Sequence, residues 1–543
     1  MRLNPKRYVR ITNIRHHLMN EGLTKRAKGY DEGGFAGATG LPSFLIDFGL
    51  TQDQWTGSAS SLASRKANIS SFGVLGAAFG AILALCITDR IGRLRTWQVL
   101  SLLWMSGFFM VTFSSGITGL MLFARLWGGL GAGGLTVCTP LYLSEVAPTR
   151  IRGMIVSIYM VILLTFLMLG MSLFDPCSRR SKLTVSGFFV SFAAGKTMPP
   201  TRSQYQVVTA VPLIPVGLAV LLSMFLKDTP RWLVSKGRTD DALETLSKLR
   251  NKPQSCPDVQ AEFAEINEQI HAKEQTLAGS STLTIIKEIA TIRSYRIRFL
   301  LGVAMQTIAQ WTGGNGITYW VPTIFELAGI ENSNRSLITS GAYGAVKLVF
   351  TMIFTWGLVD VFGRRFCFMT GLFLQCVTHI YMAVYFGVWV DSENKPASDA
   401  AIASVFVYAV GWSIGLCTVQ YLYGIEIYPT RIRGLCYATS MCLHWLFQFA
   451  VVRVTPNMFE SLDVWGAYVF WACICAIGLG LLGVMAPETK GVPMERMHEL
   501  FEHPWYMLWK AKLSPEPETL STYSITREGS MQDEKPKRSA IEP

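Results

Sequence analysis

Long apolar runs separated by short polar loops make up most of the chain. Eleven of these runs are long enough to cross a membrane as helices, because about 20 apolar residues cover roughly 30 Å of hydrocarbon. They lie at about residues 67–88, 98–115, 117–143, 153–174, 207–226, 298–327, 337–359, 366–390, 401–424, 435–457 and 464–486. A twelfth run, residues 29–50, is only partly apolar. The pattern predicts an all-α polytopic membrane protein with twelve spans, of which the first is truncated.

Two polar motifs occur twice at similar offsets. "EVAPTRIRG" (Glu145–Gly153) recurs as "EIYPTRIRG" (Glu426–Gly434), and "DRIGRLR" (Asp89–Arg95) recurs as "DVFGRR" (Asp360–Arg365). Recurrence at a fixed offset indicates two homologous halves, each with six spans, related by an axis along the membrane normal.

Five regions follow from the spans and the repeat. They are a cytoplasmic N-terminal segment (1–28), an N-terminal transmembrane bundle (29–226), a cytoplasmic helical linker domain (227–297), a C-terminal transmembrane bundle (298–490) and a cytoplasmic tail (491–543). In the linker domain, Val259, Phe263, Ile266 and Ile270 recur at helical spacing. They predict a helix with one apolar face.

Composition and charge agree with a membrane protein. Half of the 543 residues are hydrophobic, 16% are charged and the mean hydropathy is +0.32, whereas a soluble domain carries about 25% charged residues. The net charge of +12 comes largely from basic residues in alternate short loops. This bias marks those loops as cytoplasmic and argues against a nucleic-acid partner. We expect a monomer in the plasma membrane with both termini cytoplasmic.

The residue types that form catalytic and metal sites do not occur in the spacings typical of such sites. The 11 cysteines lie mostly within predicted spans and show no paired spacing, which favours neither a disulfide framework nor a metal site. We find no nucleophile–base pair and no phosphate-binding loop. The sequence therefore predicts neither an enzymatic activity nor a cofactor.

One lysine lies inside an apolar run. Lys347 is the only charge in the 23 residues Leu337–Val359, and it falls near the midplane of the predicted span, where a charge costs about 2.5–3.5 kcal/mol. Its helical face is small or polar, with Ser340, Gly344, Thr351 and Thr355. We expect the ammonium to face a cavity and to suit a carboxylate substrate. The alternatives are that it pairs with an acid of the protein or is neutral when buried.

The motifs together resemble the sugar porter branch of the major facilitator superfamily. The matching pieces, in chain order, are "DRIGRLR", "RLWGGLGAGG", "PLYLSEVAPTRIRG", "DTPRWLVSKGR", "QWTGGNGITYW", "VDVFGRR", "EIYPTRIRG" and "PETKG". "YGAVK" and "FAVVRVTPNMF" resemble the fungal quinate and sugar-acid permeases of that branch. The resemblance implies a major facilitator fold with two six-helix bundles that moves a small molecule by alternating access.

The resemblance also implies a substrate site between the halves. Gln310 and Asn315 match hydroxyl ligands of the family, and a Gly-Gly-Asn-Gly run (313–316) weakens the helix that carries them. The family pattern for neutral hexoses is incomplete, because Ala309 and Met160 stand where glutamines are usual. Polar contacts between helices are the alternative role for these side chains. The expected substrate-binding residues are Gln306, Gln310, Asn315, Tyr319, Lys347, Tyr421, His444 and Trp445.

Proton coupling is implied by a second pair of residues. In proton-coupled sugar porters, an aspartate in "GYD" works with an arginine at the start of "RLWGG", and these match Asp31 and Arg125. A neighbouring arginine lowers the pKa of a buried carboxyl, so a moving arginine switches its proton affinity. The alternative is that Asp31 is only an interfacial residue.

Repeated charges at the predicted cytoplasmic ends of both halves suggest a gate. Pairing of these residues across the seam between the halves would close the cytoplasmic side, whereas the alternative is that the arginines only set the topology. The candidate gate residues are Asp89, Arg93, Glu145, Arg152, Asp360, Arg364, Glu426 and Arg433.

Two segments depart from the family pattern. The polar stretch "NEGLTKRAKG" replaces the apolar first half of the first span, and residues 175–206 form a basic insertion on the predicted external side. We interpret both as faults of the gene model, a missed first exon and an unspliced intron.

The function predicted from the sequence is proton-coupled import of a monosaccharide, a sugar acid or quinate. A nutrient sensor on a transporter fold and an uncoupled sugar facilitator are the alternatives.

Overall fold

A computed structural model describes most of the 543-residue chain. It covers residues 35, 38–39, 41–51, 59–147, 197–277, 282–330, 333–355, 359–390, 394–490, 492 and 497–511. Every regular element in these residues is a helix. The predicted span at 153–174 and the candidates Asp31 and Arg152 lie outside the described residues.

Seven helices in the described residues are long and apolar enough to cross a membrane. They are Ser64–Ile91, Thr118–Val146, Arg202–Ser223, Arg364–Trp389, Lys395–Gly424, Arg431–Ser461 and Asp463–Met485. Each falls on a run that the sequence predicts to be a span, and helices also occupy the predicted spans at 98–115, 298–327 and 337–359.

The N half contains six described helices, which pack through small residues. They are α1 (Pro42–Asp47), α2 (Ala59–Ile91), α3 (Arg93–Thr112), α4 (Thr118–Val146), α5 (Arg202–Ala210) and α6 (Leu213–Ser223). A Cβ added at Gly76 would lie 2.1 Å from the Leu126 carbonyl oxygen, and one at Gly133 would lie 1.9 Å from that of Ala77. Helices α2 and α4 therefore approach backbone to backbone, as small residues at regular spacing permit in membranes.

Helix α5 begins earlier than the sequence suggests. The predicted insertion runs to residue 206, but the helix begins at Arg202 and Tyr205 is fully buried against Phe44 and Phe48. Asp47 at the end of α1 accepts hydrogen bonds of 2.7 Å from both the Arg202 guanidinium and the Tyr205 hydroxyl. That carboxylate satisfies the polar first turn, so the helix begins four residues before the predicted end of the insertion.

Four described helices lie in the region predicted as the linker domain. They are α7 (Pro230–Ser235), α8 (Thr239–Arg250), α9 (Pro257–Leu277) and α10 (Thr282–Thr291). The predicted apolar face of α9 packs against α7 and α8: Val259 and Ile266 are buried with Trp232 and Leu246, and Phe263 lies at the edge of this cluster.

The C half repeats the architecture, with its first span divided. Its described helices are α11 (Arg293–Trp311), α12 (Gly314–Leu327), α13 (Ser333–Ile353), α14 (Val359–Phe362), α15 (Arg364–Val384), α16 (Lys395–Ile414), α17 (Leu416–Glu426), α18 (Thr430–Ser461) and α19 (Asp463–Met485). Beyond them, α20 (Met497–Leu500) and a 3-10 helix (Trp505–Lys510) pack at the end of α19. The two halves meet where α18 lies along α2.

Candidate substrate-binding site

The glycine run in the first span of the C half breaks that span in two, as predicted. Helix α11 ends at Trp311, Gly313 has φ +85°, and α12 begins at Gly314. A Cβ at Gly314 would lie 2.2 Å from the Trp412 ring of α16. A side chain at either glycine would therefore be strained, because the first needs left-handed backbone and the second needs close approach.

Five of the predicted substrate-binding side chains form one buried hydrogen-bonded network beside this break. Asn315 Nδ2 donates to Gln310 Oε1 at 2.9 Å, and Gln310 Nε2 lies 3.0 Å from Nδ1 of His444. The same Nδ1 lies 2.8 Å from Gln306 Oε1, and the Tyr421 hydroxyl lies 3.3 Å from His444 Nε2. Residues from α11, α12, α17 and α18 therefore converge on one imidazole.

Nδ1 of the imidazole cannot satisfy both of its neighbours at once, although Gln310 Nε2 also lies 3.3 Å from His444 Nε2 and can donate there instead. One ring nitrogen either carries a proton or presents a lone pair. His444 Nδ1 can thus donate to the Gln306 carbonyl oxygen or accept from the Gln310 amide, but not both. A ligand hydroxyl, which both donates and accepts, would complement such a site.

Two of the three remaining candidates are Trp445 and Tyr319. Trp445 lies beside the network with its ring 5.3 Å from that of His444, but its Nε1 donates to Thr136 Oγ1 of α4 at 3.2 Å. This buried bond joins the C half to the N half. The side chain of Tyr319 lies outside the described part of the structure.

Lys347 is buried in protein on α13, with 3% of its surface exposed. Its Nζ donates to Thr318 Oγ1 of α12 at 3.0 Å and lies 5.3 Å from the Tyr343 ring and 5.7 Å from the Trp412 ring. In the described residues, no carboxylate pairs with it. Its ammonium therefore faces the helix break rather than lipid.

Lys347 lies next to the hydrogen-bonded network around His444, which we call the His444 network. Among the described residues, no hydrogen bond joins the two directly. Thr318 Oγ1, which accepts from Lys347, itself donates to the Gly314 carbonyl at 2.7 Å. Gly314 precedes Asn315 of the network. The two groups therefore contact neighbouring atoms of the same broken turn.

Arg125 of the predicted proton-coupling pair is buried in the N half. Its guanidinium carbon lies 3.8 Å from the centroid of the Phe35 ring, and a Cβ at Gly73 of α2 would lie 2.6 Å from its Nη2. The absence of a side chain at Gly73 leaves room for this arginine. Phe35 lies four residues after Asp31 in the chain.

A charge cluster closes the predicted cytoplasmic end of the N half. Arg93 at the start of α3 pairs with Glu145 of α4 at 3.1 Å and with Asp89 at 3.0 Å. Asp228 accepts from the backbone amides of Arg93 and Leu94 at 3.1 and 3.2 Å, and the Thr229 hydroxyl donates to Glu145 at 2.6 Å. We call Arg93, Glu145, Asp228 and Thr229 the N-half charge cluster.

The C half contains the same arrangement. Arg364 at the start of α15 pairs with Glu426 at 3.2 Å, and the Thr489 hydroxyl donates to Glu426 at 2.8 Å. Glu488 accepts from the backbone amides of Arg364 and Arg365 at 2.9 and 3.0 Å. Arg364, Glu426, Glu488 and Thr489 form the C-half charge cluster.

These ion pairs modify the predicted gate. Arg93–Glu145 and Arg364–Glu426 each join helices of one half, not the two halves as the sequence analysis expects. Across the seam, Asp89 and Arg433 line one groove between α2, α4 and α18. The Arg433 Nε donates to the Tyr428 carbonyl at 3.1 Å, and the Asp360 side chain lies outside the described residues.

Sequence reasoning missed the capping residues of both clusters. Asp228–Thr229 and Glu488–Thr489 are acid–threonine pairs that each follow the last span of a half. They occur within "DTPRW" and "PETKG", so the signal was a shared acid–Thr dipeptide in motifs of different length.

Comparison with known proteins fits this geometry. The family described as "Sugar (and other) transporter" matches residues 22–501. The chain belongs to this family. It is therefore a multi-pass membrane transporter of the sugar porter type, with the major facilitator fold.

Relatives of this chain include fungal permeases. The quinate permease of Emericella nidulans is 30% identical over 494 residues, covering 87% of this chain and 86% of the permease. A probable quinate permease of Aspergillus flavus is 30% identical over 491 residues, covering 89% and 87%.

Solved structures agree on the fold. The proton:xylose symporter XylE bound to 6-bromo-6-deoxy-D-glucose superposes with a TM-score of 0.74 at 19% identity, covering 90% of this chain and 99% of XylE. The inward-open conformation of E. coli XylE gives a TM-score of 0.67 at 19% identity, covering 89% and 98%.

Proposed function

We propose that this transporter imports a polyhydroxy carboxylate, such as a sugar acid or quinate, together with protons across the plasma membrane. The observation that carries the proposal is the buried Lys347 ammonium, which has a hydroxyl and two aromatic rings as neighbours and no carboxylate partner in the described structure. The names of the fungal quinate permeases are consistent with such a substrate.

The ammonium supports an anionic substrate because its protein neighbours stabilise it incompletely. One hydroxyl acceptor and two ring faces compensate only part of the cost of removing a charge from water. A carboxylate would add a charge-assisted hydrogen bond, which is about twice as strong as a neutral one. Lys347 then contributes more to binding an acid than to binding a neutral sugar.

The hydroxyl groups of such a substrate match the His444 network. Its amides, imidazole and phenol are uncharged donors and acceptors, and Nδ1 has competing partners in Gln306 and Gln310. Exchange of these internal bonds for substrate hydroxyl bonds keeps the number of hydrogen bonds similar, so it costs little net free energy. Substrate binding thereby rearranges contacts between α11, α12 and α18.

Competitive uptake tests the anion proposal. Glucose, galacturonate and quinate are compared in the wild type and in Lys347→Ala, and we expect uptake of the two acids to fall at least about tenfold more than that of glucose. Thr351→Val is the matched control, because Thr351 is buried on the same face of α13 and its hydroxyl has no hydrogen-bond partner among the described residues. Equal losses for acids and glucose would remove the anion argument.

Proton coupling rests on Arg125, which is buried against Phe35, four residues after Asp31 in the chain. A monovalent anion and one proton together carry no net charge across the membrane. The pH gradient rather than the voltage would then drive accumulation. Dissipating the pH gradient with an ionophore should then abolish accumulation, while setting the membrane potential to zero should leave it. Accumulation that survives the loss of the pH gradient would contradict proton coupling.

A neutral-sugar facilitator is the second candidate. It is favoured because the five side chains around His444 are uncharged, and such a network does not itself require a substrate with a carboxylate. Equilibration of glucose without accumulation, unaffected by Lys347→Ala, would support it over the first proposal.

A further inference from the structure

The carbonyl of Thr312 lies at the centre of the helix break. In the described structure it accepts two side-chain hydrogen bonds: His379 Nε2 lies 3.0 Å away and the Tyr408 hydroxyl donates at 3.3 Å. A broken helix leaves backbone carbonyls without their usual amide donors, and such groups are costly in a membrane interior. These two side chains satisfy the carbonyl that the break leaves free.

The two donors come from different helices and are held firmly. His379 of α15 is 1% exposed and Tyr408 of α16 is 3% exposed. The His379 ring packs within 5.0 Å of the Tyr408 ring, 5.8 Å of the Tyr468 ring and 5.7 Å of the Trp471 ring, measured between centroids. An imidazole enclosed in this way has little freedom to follow a moving acceptor.

The aromatic cluster also contacts the glycine of the break. A Cβ at Gly313 would lie 3.2 Å from the Trp471 ring. The break is thus bounded on one side by α15, α16 and α19 and on the other by the His444 network. Gln310, two residues before Thr312, and Asn315, three residues after it, both belong to that network.

We propose that His379 and Tyr408 are positioning residues that clamp the Thr312 carbonyl, fix the break between α11 and α12, and thereby set the spacing of the substrate-binding amides Gln310 and Asn315. The clamp requires a proton on His379 Nε2. Neither residue touches the substrate; both act through the backbone of the break. Loss of one donor loosens the turn and moves the two amides relative to each other.

Hydrogen–deuterium exchange of the purified full-length protein tests the clamp without any substrate. In Tyr408→Phe and His379→Phe, amides in the peptide covering residues 306–318 should exchange about tenfold faster, as expected for loss of one buried hydrogen bond. His379→Gln retains an N–H donor at a similar reach and should restore most of the protection. Thr378→Val is the control, since the buried Thr378 hydroxyl donates only within its own helix, to the Gln375 carbonyl.

Uptake kinetics separate positioning from general destabilisation. With quinate as the probe, Tyr408→Phe should raise KM severalfold at unchanged Vmax per folded transporter, whereas a merely unstable protein would lose Vmax at constant KM. Only this readout rests on the proposed function: a wild type that takes up neither quinate nor galacturonate refutes that function, and exchange still decides the clamp. Unchanged exchange at 306–318 in both Phe variants, or a rise spread over the whole C half, would overturn the inference.

Discussion

The charge clusters of the two halves make the same set of contacts but differ in the residue that caps the helix and in the carboxyl whose pKa is raised. In each, an arginine at a helix start binds a glutamate, a threonine binds the same glutamate, and a second carboxylate caps the helix. In the N half the capping residue is Asp228, which is shorter than its counterpart Glu488. Asp228 is buried where it accepts from the amides of α3, and burial raises its pKa above the ordinary aspartate value.

In the C half the raised pKa belongs to a different member of the cluster. Burial raises the pKa of Glu426, the arginine partner, against the lowering effects of Arg364 and of the Thr489 hydroxyl. Arg93 has a second carboxylate partner in Asp89. The comparison shows that a repeat can preserve a hydrogen-bonding scheme while burial raises the pKa of the capping carboxyl in one half and of the arginine's partner in the other.

The largest expected effect is the loss of either arginine. Arg93→Leu or Arg364→Leu leaves a buried glutamate without its cation, and we expect a cost of about 3 kcal/mol in the free energy of unfolding, because breaking a buried pair strands one charge. Unfolding of the purified protein in detergent measures it.

The double variants Arg93→Leu/Glu145→Leu and Arg364→Leu/Glu426→Leu are the controls. Each should recover part of the loss, since no charge is then left unpaired. Additive losses would show that the residues do not act as pairs.

The turn glycines should come next. Gly92 has φ +100° and Gly363 has φ +92°, and an added Cβ would lie 2.1 Å from an Asp228 oxygen or 2.4 Å from a Glu488 oxygen. Gly92→Ala and Gly363→Ala should each cost about 1–3 kcal/mol through backbone strain, with displacement of the cap in addition. The same unfolding measurement applies.

Each half offers a control glycine. Gly119 of α4 and Gly480 of α19 have open space where a Cβ would lie. Gly119→Ala and Gly480→Ala should leave stability unchanged or slightly raised. Large losses at these positions would show that any change in these helices is harmful and that the turn glycines are not special.

Removing the charge of the capping carboxylates should have a smaller effect. Asp228→Asn and Glu488→Gln keep the size of the side chain but weaken hydrogen bonds to three backbone amides in each cluster, so we expect about 1.5 kcal/mol for each variant. A double variant tests independence of the halves, because distant sites add. A double loss clearly different from the sum would mean that the clusters communicate.

The smallest expected effect concerns pH. Because burial raises the pKa of folded Glu426, the folded protein binds a proton more tightly there than the unfolded chain does. This carboxyl therefore makes stability fall as the pH rises from its ordinary value of 4.5 towards the raised value.

Melting temperatures across the acid range should show a weaker dependence in Glu426→Gln than in the wild type. In the N half, Asp228→Asn should flatten the dependence that begins near 3.8. If the melting temperature of the wild type instead rises with pH over these ranges, and that of the variants does not, the direction assigned to the pKa shifts would be wrong.

Periodicity and repetition were enough to predict most of the fold. Apolar runs of about 20 residues require helices in a membrane, and the repeated motifs predicted equivalent charges in both halves. The start of α5 could not be predicted in this way, because Arg202 and Tyr205 in its first turn hydrogen-bond to Asp47, which lies 155 and 158 residues away.

The candidate site was predicted by residue type more than by geometry. Gln306, Gln310, Asn315, Tyr421 and His444 come together as expected, and the glycine run marks the break. His379 and Tyr408 gave no signal, since a histidine and a tyrosine in apolar helices have no characteristic spacing. Their importance depends on the carbonyl of Thr312, which is visible only once three helices are assembled.

The capping carboxylates have a consequence for the order in which the chain is built. Asp228 follows Arg93 by 135 residues, and Glu488 follows Arg364 by 124. During synthesis, the third predicted span of each half therefore enters the bilayer with its first amides unpaired, and the acid that pairs them emerges only after the last span of that half. The acid that caps the helix is thus among the last residues of each half to be synthesised. A chain that ends before either acid has all the spans of that half but lacks the carboxylate that binds these amides.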